Sequence, residues 1–276
     1  MNEVALTTPP NGGWTGAAFF DLDKTLLAQS SSLAFARPFY RGGLMGRRSA
    51  ARSAYAQLIF SLGGANERAT EGLRRELSRL VTGWPVETVQ RIVAEAIDTV
   101  VDPLVHAEAA DVIDEHRAAG RAIVVISASG SDVVEPIAMR LGADFVVASQ
   151  LTTRDGRYTG SISFYAYGSA KADAMRDLAA TQNWNLNECH AYSDSSTDVP
   201  MLEAVGHPHA VNPDSLLRTL AEQRHWPIHK WHRTVSLRER FGKVDARTAT
   251  RVAIGVVAIG VAVRVVRSRA RRRVTG

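Results

Sequence analysis

The sequence has 276 residues, of which 45% are hydrophobic, so it can bury the core of one large domain or of two small ones. Its single cysteine excludes an intramolecular disulfide and is typical of a protein of a reducing cytoplasm. The net charge of +5 arises in the C-terminal tail, because residues 233–276 carry +10 and residues 1–232 carry −5, which argues against a nucleic-acid-binding body.

The first predicted strand ends in two closely spaced carboxylates. The apolar run over 17–20 is short and aromatic, which favours a buried strand of a parallel sheet over an amphipathic helix. Asp21 and Asp23 then lie at the carboxyl end of this strand, where open α/β sheets bind their ligands. The two acids either belong to a solvated loop or are held ionised beside a hard divalent cation.

Helical patterns follow this first strand. Apolar residues recur at spacings of three and four over 46–62, 67–80 and 86–100, and glycine and proline residues separate these segments. The sequence therefore predicts three helices between the first and second strands.

The second predicted strand covers residues 121–126 and leads into a hydroxyl-rich loop that opens a helix over about 132–141. Ser127 in this loop either caps the helix or contacts an anion bound at the helix N-terminus. Residues 151–160 then predict a β-hairpin with Asp155 and Gly156 at its tip.

A helix over 169–181 carries Lys171 near its start, where most proteins would have a surface lysine. The apolar stretch with Cys189 then leads to a second acidic loop that contains Asp194 and Asp198. Two strand ends thus carry pairs of acids, which favours a shared cation over two unrelated loops.

A last strand is predicted over 204–210 and a helix over 213–224 with proline at its start. His207 and His209 are interpreted as structural. The later histidines are interpreted as part of a peripheral linker in preference to a metal site, because no cysteine joins them; they are His225, His229 and His232.

The order of these motifs along the chain resembles that of the haloacid dehalogenase-like hydrolases, and most closely the phosphoserine phosphatase-like branch of subfamily IB. The resemblance covers about residues 15–225 and rests on Asp21 with Asp23, Ser127, Lys171, and Asp194 with Asp198. It implies an α/β fold in which residues 15–29 and 101–228 form a Rossmann-like catalytic core with a parallel sheet. It also implies an inserted α-helical cap over residues 30–100.

The resemblance implies a role for each motif residue in Mg²⁺-dependent phosphomonoester hydrolysis. Asp21 would attack phosphorus and form an aspartyl-phosphate, and Asp23 would act as general acid and base. Ser127 and Lys171 would hold the phosphoryl oxygens of a small phosphorylated substrate. The Mg²⁺ ligands would come from the acidic motifs: Asp21, Asp23, Asp194 and, through water, Asp198.

The substrate stays open at this point. Residues 27–32 lack the glutamate by which phosphoserine-specific members grip the substrate amine, and Ala128 and Ser129 stand where those enzymes usually carry glycines. A phosphotransferase that uses the same aspartyl-phosphate and a non-catalytic, membrane-tethered phosphate-binding regulator remain alternatives.

The C-terminal segment predicts contact with a membrane. A basic linker over 229–247 precedes an unbroken apolar run over 252–263 and an arginine-rich end, so residues 248–276 are interpreted as a hydrophobic helix and tail. A helix over 249–266 would be roughly 27 Å long, slightly short of the hydrocarbon core. It would span the membrane with flanking arginines snorkelling, lie in the interface, or join copies of the chain.

Overall fold

The computed structural model describes residues 3–7, 13–46 and 78–234. The helix predicted over 46–62, most of the one over 67–80, and the whole segment 248–276 lie outside these residues. Membrane contact through residues 249–266 therefore stays a prediction. Among the described helices, none has the length and hydropathy needed to cross a membrane.

The described residues form one mixed sheet with helices on both faces. The strands are β1 (Glu3–Ala5), β2 (Ala17–Asp21), β3 (Ala122–Gly130), β4 (Phe145–Arg154), β5 (Arg157–Phe164), β6 (His190–Ser193), β7 (His207–Val211) and β8 (Ile228–His229). The helices are α1 (Ser31–Ala34), α2 (Ala36–Arg41), α3 (Val86–Val100), α4 (Ala107–Ala118), α5 (Ser131–Arg140), α6 (Ser169–Gln182), α7 (Val199–Leu202) and α8 (Ser215–Gln223).

The sheet order is β1-β4-β3-β2-β6-β7-β8, with β5 paired to β4. Strands β4, β3, β2, β6, β7 and β8 run parallel, whereas β1 and β5 pair antiparallel with β4. This arrangement confirms the predicted α/β fold with a mostly parallel sheet. Strand β2 lies near the middle, so the loops that follow β3, β2 and β6 meet at one edge.

Strand β2 is buried along its whole length because both of its faces are covered. Phe20 packs with residues of α3, α4 and α5, whereas Phe19 packs on the other face with residues of α6, α7 and α8. Phe35, which lies between α1 and α2, and Phe39 of α2 join the Phe20 side of the core. Burial on both faces explains why this strand reads as a continuous apolar run instead of an alternating one.

The β4–β5 hairpin turns at the predicted position, with Asp155 at φ 50° and Gly156 at φ 72°, as a two-residue type I′ turn requires. The helix predicted over 213–224 begins later, at Ser215, because Asp214 is its N-cap and accepts a hydrogen bond from Leu217 N at 2.8 Å. The last predicted strand is β7, which begins at His207 instead of residue 204, and β8 was not predicted.

The basic linker predicted from residue 229 begins too early. His229 is part of β8, and Trp231 is buried and exchanges two hydrogen bonds with the side chain of Asn212. The chain therefore stays on the core through Thr234, which pairs with His106. The interpretation of His229 as a linker residue is wrong, because its ring contributes to the packing of the sheet.

Several histidine side chains line one face of the sheet beside Tyr192. His190 Nδ1 and His209 Nε2 are 3.2 Å apart, and His209 Nδ1 and His229 Nε2 are 3.0 Å apart. His116 on α4 contacts the Tyr192 hydroxyl at 2.9 Å. Burial lowers the pKa of His116 and of His209 to about 3, and that of His190 to about 4, with neighbouring imidazoles adding to the effect. These rings are therefore packed as neutral groups.

We expect His116 to make the fold sensitive to acid. Its pKa lies far below the 6.5 of the unfolded chain, so the unfolded state binds more protons and stability falls as pH drops below 6.5. Between pH 6.5 and about pH 5, His116 should account for about 2 kcal/mol of lost stability. Urea unfolding at both pH values should therefore show a smaller pH effect for His116→Gln than for the wild type. His232→Gln, at an exposed histidine, is the control, and parallel pH dependences for all three proteins would contradict the expectation.

Candidate active site

Three adjacent strands deliver the acidic and hydroxyl-rich loops to one edge of the sheet. Strand β2 lies between β3 and β6, with Asp21 opposite Ile126 in the β2–β3 register. Ser127 lies in the last part of β3, which continues past the predicted strand end at residue 126 to Gly130, and Asp194 follows the end of β6. Parallel strands end on the same side, so topology alone brings these residues together.

The loop after β2 is held by a leucine cluster beneath it. Leu22, Leu26 and Leu27 are fully buried, and the amides of Leu26 and Leu27 both donate to the Leu22 carbonyl, at 3.1 and 3.0 Å. Lys24 completes the tight turn in the left-handed region, at φ 65°, which is uncommon for a lysine. The turn directs the Thr25 hydroxyl to Asp194, where it donates to Oδ1 at 3.2 Å.

Lys171 connects two of the acidic motifs. It lies in the first turn of α6, only 3% exposed, and its Nζ contacts Asp21 Oδ1 at 2.5 Å and Asp198 Oδ2 at 2.8 Å. Burial opposes its charged form, but the attraction of Asp198 and Asp21 outweighs burial and raises the pKa of Lys171. A fully buried lysine with two carboxylate partners differs from the surface lysine that its position in a helix would suggest.

The site nevertheless contains more negative than positive charge. Burial raises the pKa of Asp21 well above its ordinary value although Lys171 opposes this, and the charges of Asp198, Asp194 and Asp23 raise the pKa further. Burial and Asp198 likewise raise the pKa of Asp194 to about 7, although Lys24 and Lys171 oppose this. Carboxylates crowded in this way need a further cation if all are to stay ionised at neutral pH.

Asp198 is the most enclosed of the acids. Its Oδ2 accepts hydrogen bonds from Lys171 and from the Ser193 hydroxyl, the latter at 2.7 Å. Its Oδ1 is buried and has no hydrogen-bond partner among the described residues. A buried carboxylate oxygen with a free lone pair is a place for a cation or for a water that a cation holds.

Asp23 is held by the end of β3 and by the start of α1. Ser31 N donates to Oδ1 at 2.5 Å, and the Ser129 hydroxyl donates to Oδ2 at 2.9 Å. Ser127 is buried nearby, and its hydroxyl accepts a hydrogen bond from Ser129 N at 3.1 Å. The register of β3 against β4 shifts between Ser127 and Gly130, and such a bulge redirects side chains at a sheet edge.

The structure thus places all six predicted residues at this edge, and it joins Asp21, Lys171 and Asp198 directly. Four contributing side chains had been given no role in the site from the sequence: Thr25, Ser31, Ser129 and Ser193. Thr25 lies two residues after the acidic pair, so its position was a usable signal. The two serines that contact Asp23 are 98 residues apart, and only the fold brings them together.

A sequence model of the haloacid dehalogenase-like hydrolases matches residues 18–203, a range that contains every residue of this site. The chain belongs to this family. Its relatives place it with the phosphatases of the family, near the phosphoserine phosphatase branch.

Three relatives illustrate this similarity. The inhibition of morphological differentiation protein of Streptomyces azureus is 51% identical over 89% of each chain. A probable phosphatase of Mycobacterium tuberculosis is 48% identical over 92% of this chain and 90% of its own. The phosphoserine phosphatase SerB1 of the same species is 32% identical over 94% of this chain and 82% of its own.

A solved structure shares the fold. A protein of unknown function from Bordetella pertussis superimposes with a TM-score of 0.69 at 30% identity, covering 78% of this chain and 98% of that one.

Proposed function

We propose that the protein hydrolyses small phosphomonoesters in two steps, with Asp21 as the nucleophile and Asp23 as the general acid and base. The observation that carries this proposal is the buried contact of Lys171 with both Asp21 and Asp198 at the carboxyl edge of the sheet. A lysine buried between an acidic strand end and a second acidic loop is poorly explained by stability alone, because burying charges is costly.

In the first step, a carboxylate oxygen of Asp21 attacks phosphorus while the bond from phosphorus to the ester oxygen breaks. The leaving oxygen takes a proton from Asp23, so the departing alcohol is neutral. In the second step, Asp23 accepts a proton from water as that water attacks the aspartyl-phosphate. Asp21 is released as a carboxylate together with inorganic phosphate.

The phosphoryl oxygens require cationic and hydrogen-bonding partners throughout. We assign this role to Lys171 and to Ser127, with the first amides of α5 beside them. Lys171 also holds Asp21 in place, because its Nζ contacts the Oδ1 atom. Positioning and neutralisation of this kind supply most of the rate enhancement in phosphoryl transfer.

The residues at this edge fit Mg²⁺. Carboxylates exceed lysines there, and Asp198 keeps a buried oxygen that has no hydrogen-bond partner in the described part of the chain. The described residues contain no set of three His, Cys, Asp or Glu side chains arranged as a complete metal site. Mg²⁺ in proteins commonly uses only one or two carboxylates and retains several waters. We assign the ligands to Asp21, Asp194 and the backbone carbonyl of Asp23, with Asp198 acting through water. When bound, Mg²⁺ neutralises phosphoryl charge and keeps the acids ionised.

We also propose that residues 15–29 and 101–228, together with the stretch to Thr234, form the catalytic core, and that residues 30–100 form a cap. Helices α1, α2 and α3 belong to this proposed cap. Because a cap of this kind encloses the substrate, its side chains would select among phosphate esters.

Chelation is the experiment that tests the proposed function. We expect purified protein to turn over a panel of phosphoserine, sugar phosphates and aryl phosphates in Mg²⁺, to lose more than about 100-fold of its rate in EDTA, and to recover when Mg²⁺ is restored. Asp194→Asn should raise the Mg²⁺ concentration needed for half-maximal rate, whereas Asp177→Asn on α6 should not. Turnover that is indifferent to EDTA, or no turnover on any ester, would overturn the proposal.

A further inference from the structure

The Asp23 carboxylate is held on both of its oxygens by two serines from different parts of the chain. Ser31 N donates to Oδ1 at 2.5 Å and the Ser129 hydroxyl donates to Oδ2 at 2.9 Å. Ser31 is the first residue of α1, and Ser129 lies near the end of β3. The orientation of Asp23 is therefore defined from two sides.

The two serine hydroxyls also contact each other, at 3.0 Å. A hydroxyl has one proton to donate, and that of Ser129 goes to Asp23. Ser31 therefore donates its hydroxyl proton to Ser129, so its amide and its hydroxyl both support the same carboxylate. Ser31 is fully buried, which limits competition from water for these bonds.

We propose that Ser129 is a positioning residue for Asp23, holding the carboxyl group in the orientation needed for proton transfer to the leaving oxygen. This inference rests on the proposed function of Asp23. The Ser129 hydroxyl distinguishes this chain from the phosphoserine phosphatases that it resembles, which usually carry a glycine in this part of the motif. A glycine has no side chain with which to hold the acid.

The role predicts a dependence on the leaving group. A nitrophenolate departs readily without a proton, whereas a phenolate needs the general acid. A misoriented Asp23 should therefore slow phenyl phosphate far more than p-nitrophenyl phosphate, although the two esters are of nearly the same shape. General damage to the fold or to phosphate binding would slow both esters equally.

The experiment compares kcat/KM for both esters in Mg²⁺, because this parameter reports the steps up to loss of the leaving group. In the Ser129→Ala variant, kcat/KM is expected to fall by about 30-fold for phenyl phosphate and by less than about threefold for p-nitrophenyl phosphate. Ser129→Thr keeps the hydroxyl and should recover most of the loss. Ser163→Ala, at an exposed serine of β5, is the matched control and should leave both values unchanged.

Three outcomes would overturn the positioning role while leaving the proposed function intact. They are equal losses on both esters, no loss on either ester, and failure of Ser129→Thr to restore the phenyl phosphate rate. Lack of wild-type turnover on both esters would overturn the proposed function and this inference with it. Urea unfolding of each variant shows whether the fold is kept, and the leaving-group ratio remains informative if stability changes.

Discussion

Replacing the nucleophile, Asp21→Asn, is expected to lower kcat/KM for p-nitrophenyl phosphate by at least about 10⁴-fold. Asparagine has the same shape, but its neutral amide oxygen is a weak nucleophile and cannot form the aspartyl-phosphate. Acid-quenched wild-type protein should carry covalent phosphate during turnover, and the variant should carry none. Both measurements use the full chain in Mg²⁺.

The fold of the Asp21→Asn protein should be at least as stable as that of the wild type. The change removes one of several buried carboxylates that repel one another, and Lys171 keeps Asp198 as its ionic partner. Asp173→Asn provides the matched control: it lies on α6, is largely exposed and pairs only with Arg176 at 2.8 Å among the contacts described. We expect that variant to keep its full rate. Turnover by Asp21→Asn within tenfold of the wild type would show that another group attacks phosphorus.

Replacing the buried lysine, Lys171→Met, is expected to reduce both activity and stability. Methionine has a similar length but leaves Asp21 and Asp198 without their shared cation in a site where Lys171 is only 3% exposed. Loss of one partner from a buried ion pair typically costs about 3–5 kcal/mol, and loss of the phosphoryl contact should reduce kcat/KM by about 10³-fold. Urea unfolding in EDTA measures the first effect, because added Mg²⁺ would partly replace the lost charge.

A double-mutant cycle separates the ion pair from simple loss of packing. Asp198→Asn combined with Lys171→Met should cost less than the sum of the two single changes, because the second change removes a charge that the first left unpaired. Arg176→Met on the same helix is the control, since its ion pair is exposed and should contribute at most about 1 kcal/mol. Additive effects, or equal effects of Lys171→Met and Arg176→Met, would mean that Lys171 does not neutralise the site.

The strand ends at the catalytic edge were predictable because each has an apolar or β-branched run that is followed directly by a polar residue. Strand β2 is apolar throughout and ends at Asp21, and β3 is β-branched before Ser127. The helix predicted over 86–100 was also correct, since its apolar spacing is regular over its full length. In a parallel sheet these local patterns suffice to place the loops together.

The parts that escaped prediction depend on contacts between distant residues. Strand β8 has two residues, too few to show any period, and forms because β7 offers a free edge. The start of α8 is decided by the Asp214 cap and not by Pro213. Asp23 is supported by Ser31 and Ser129, which are 98 residues apart, and the register shift of β3 beside Ser129 has no recognisable signal in the sequence.

The left-handed turn at Lys24 has a consequence for the working cycle of the protein. A lysine in this conformation costs roughly 1–2 kcal/mol relative to a right-handed one, and the leucines buried beneath the loop more than offset that cost at about 1.5–3 kcal/mol each. The backbone that follows Asp23 is thus already bent before any ester arrives. The cost of this backbone conformation is part of the free energy of folding. Substrate binding and catalysis therefore do not have to supply it in each cycle.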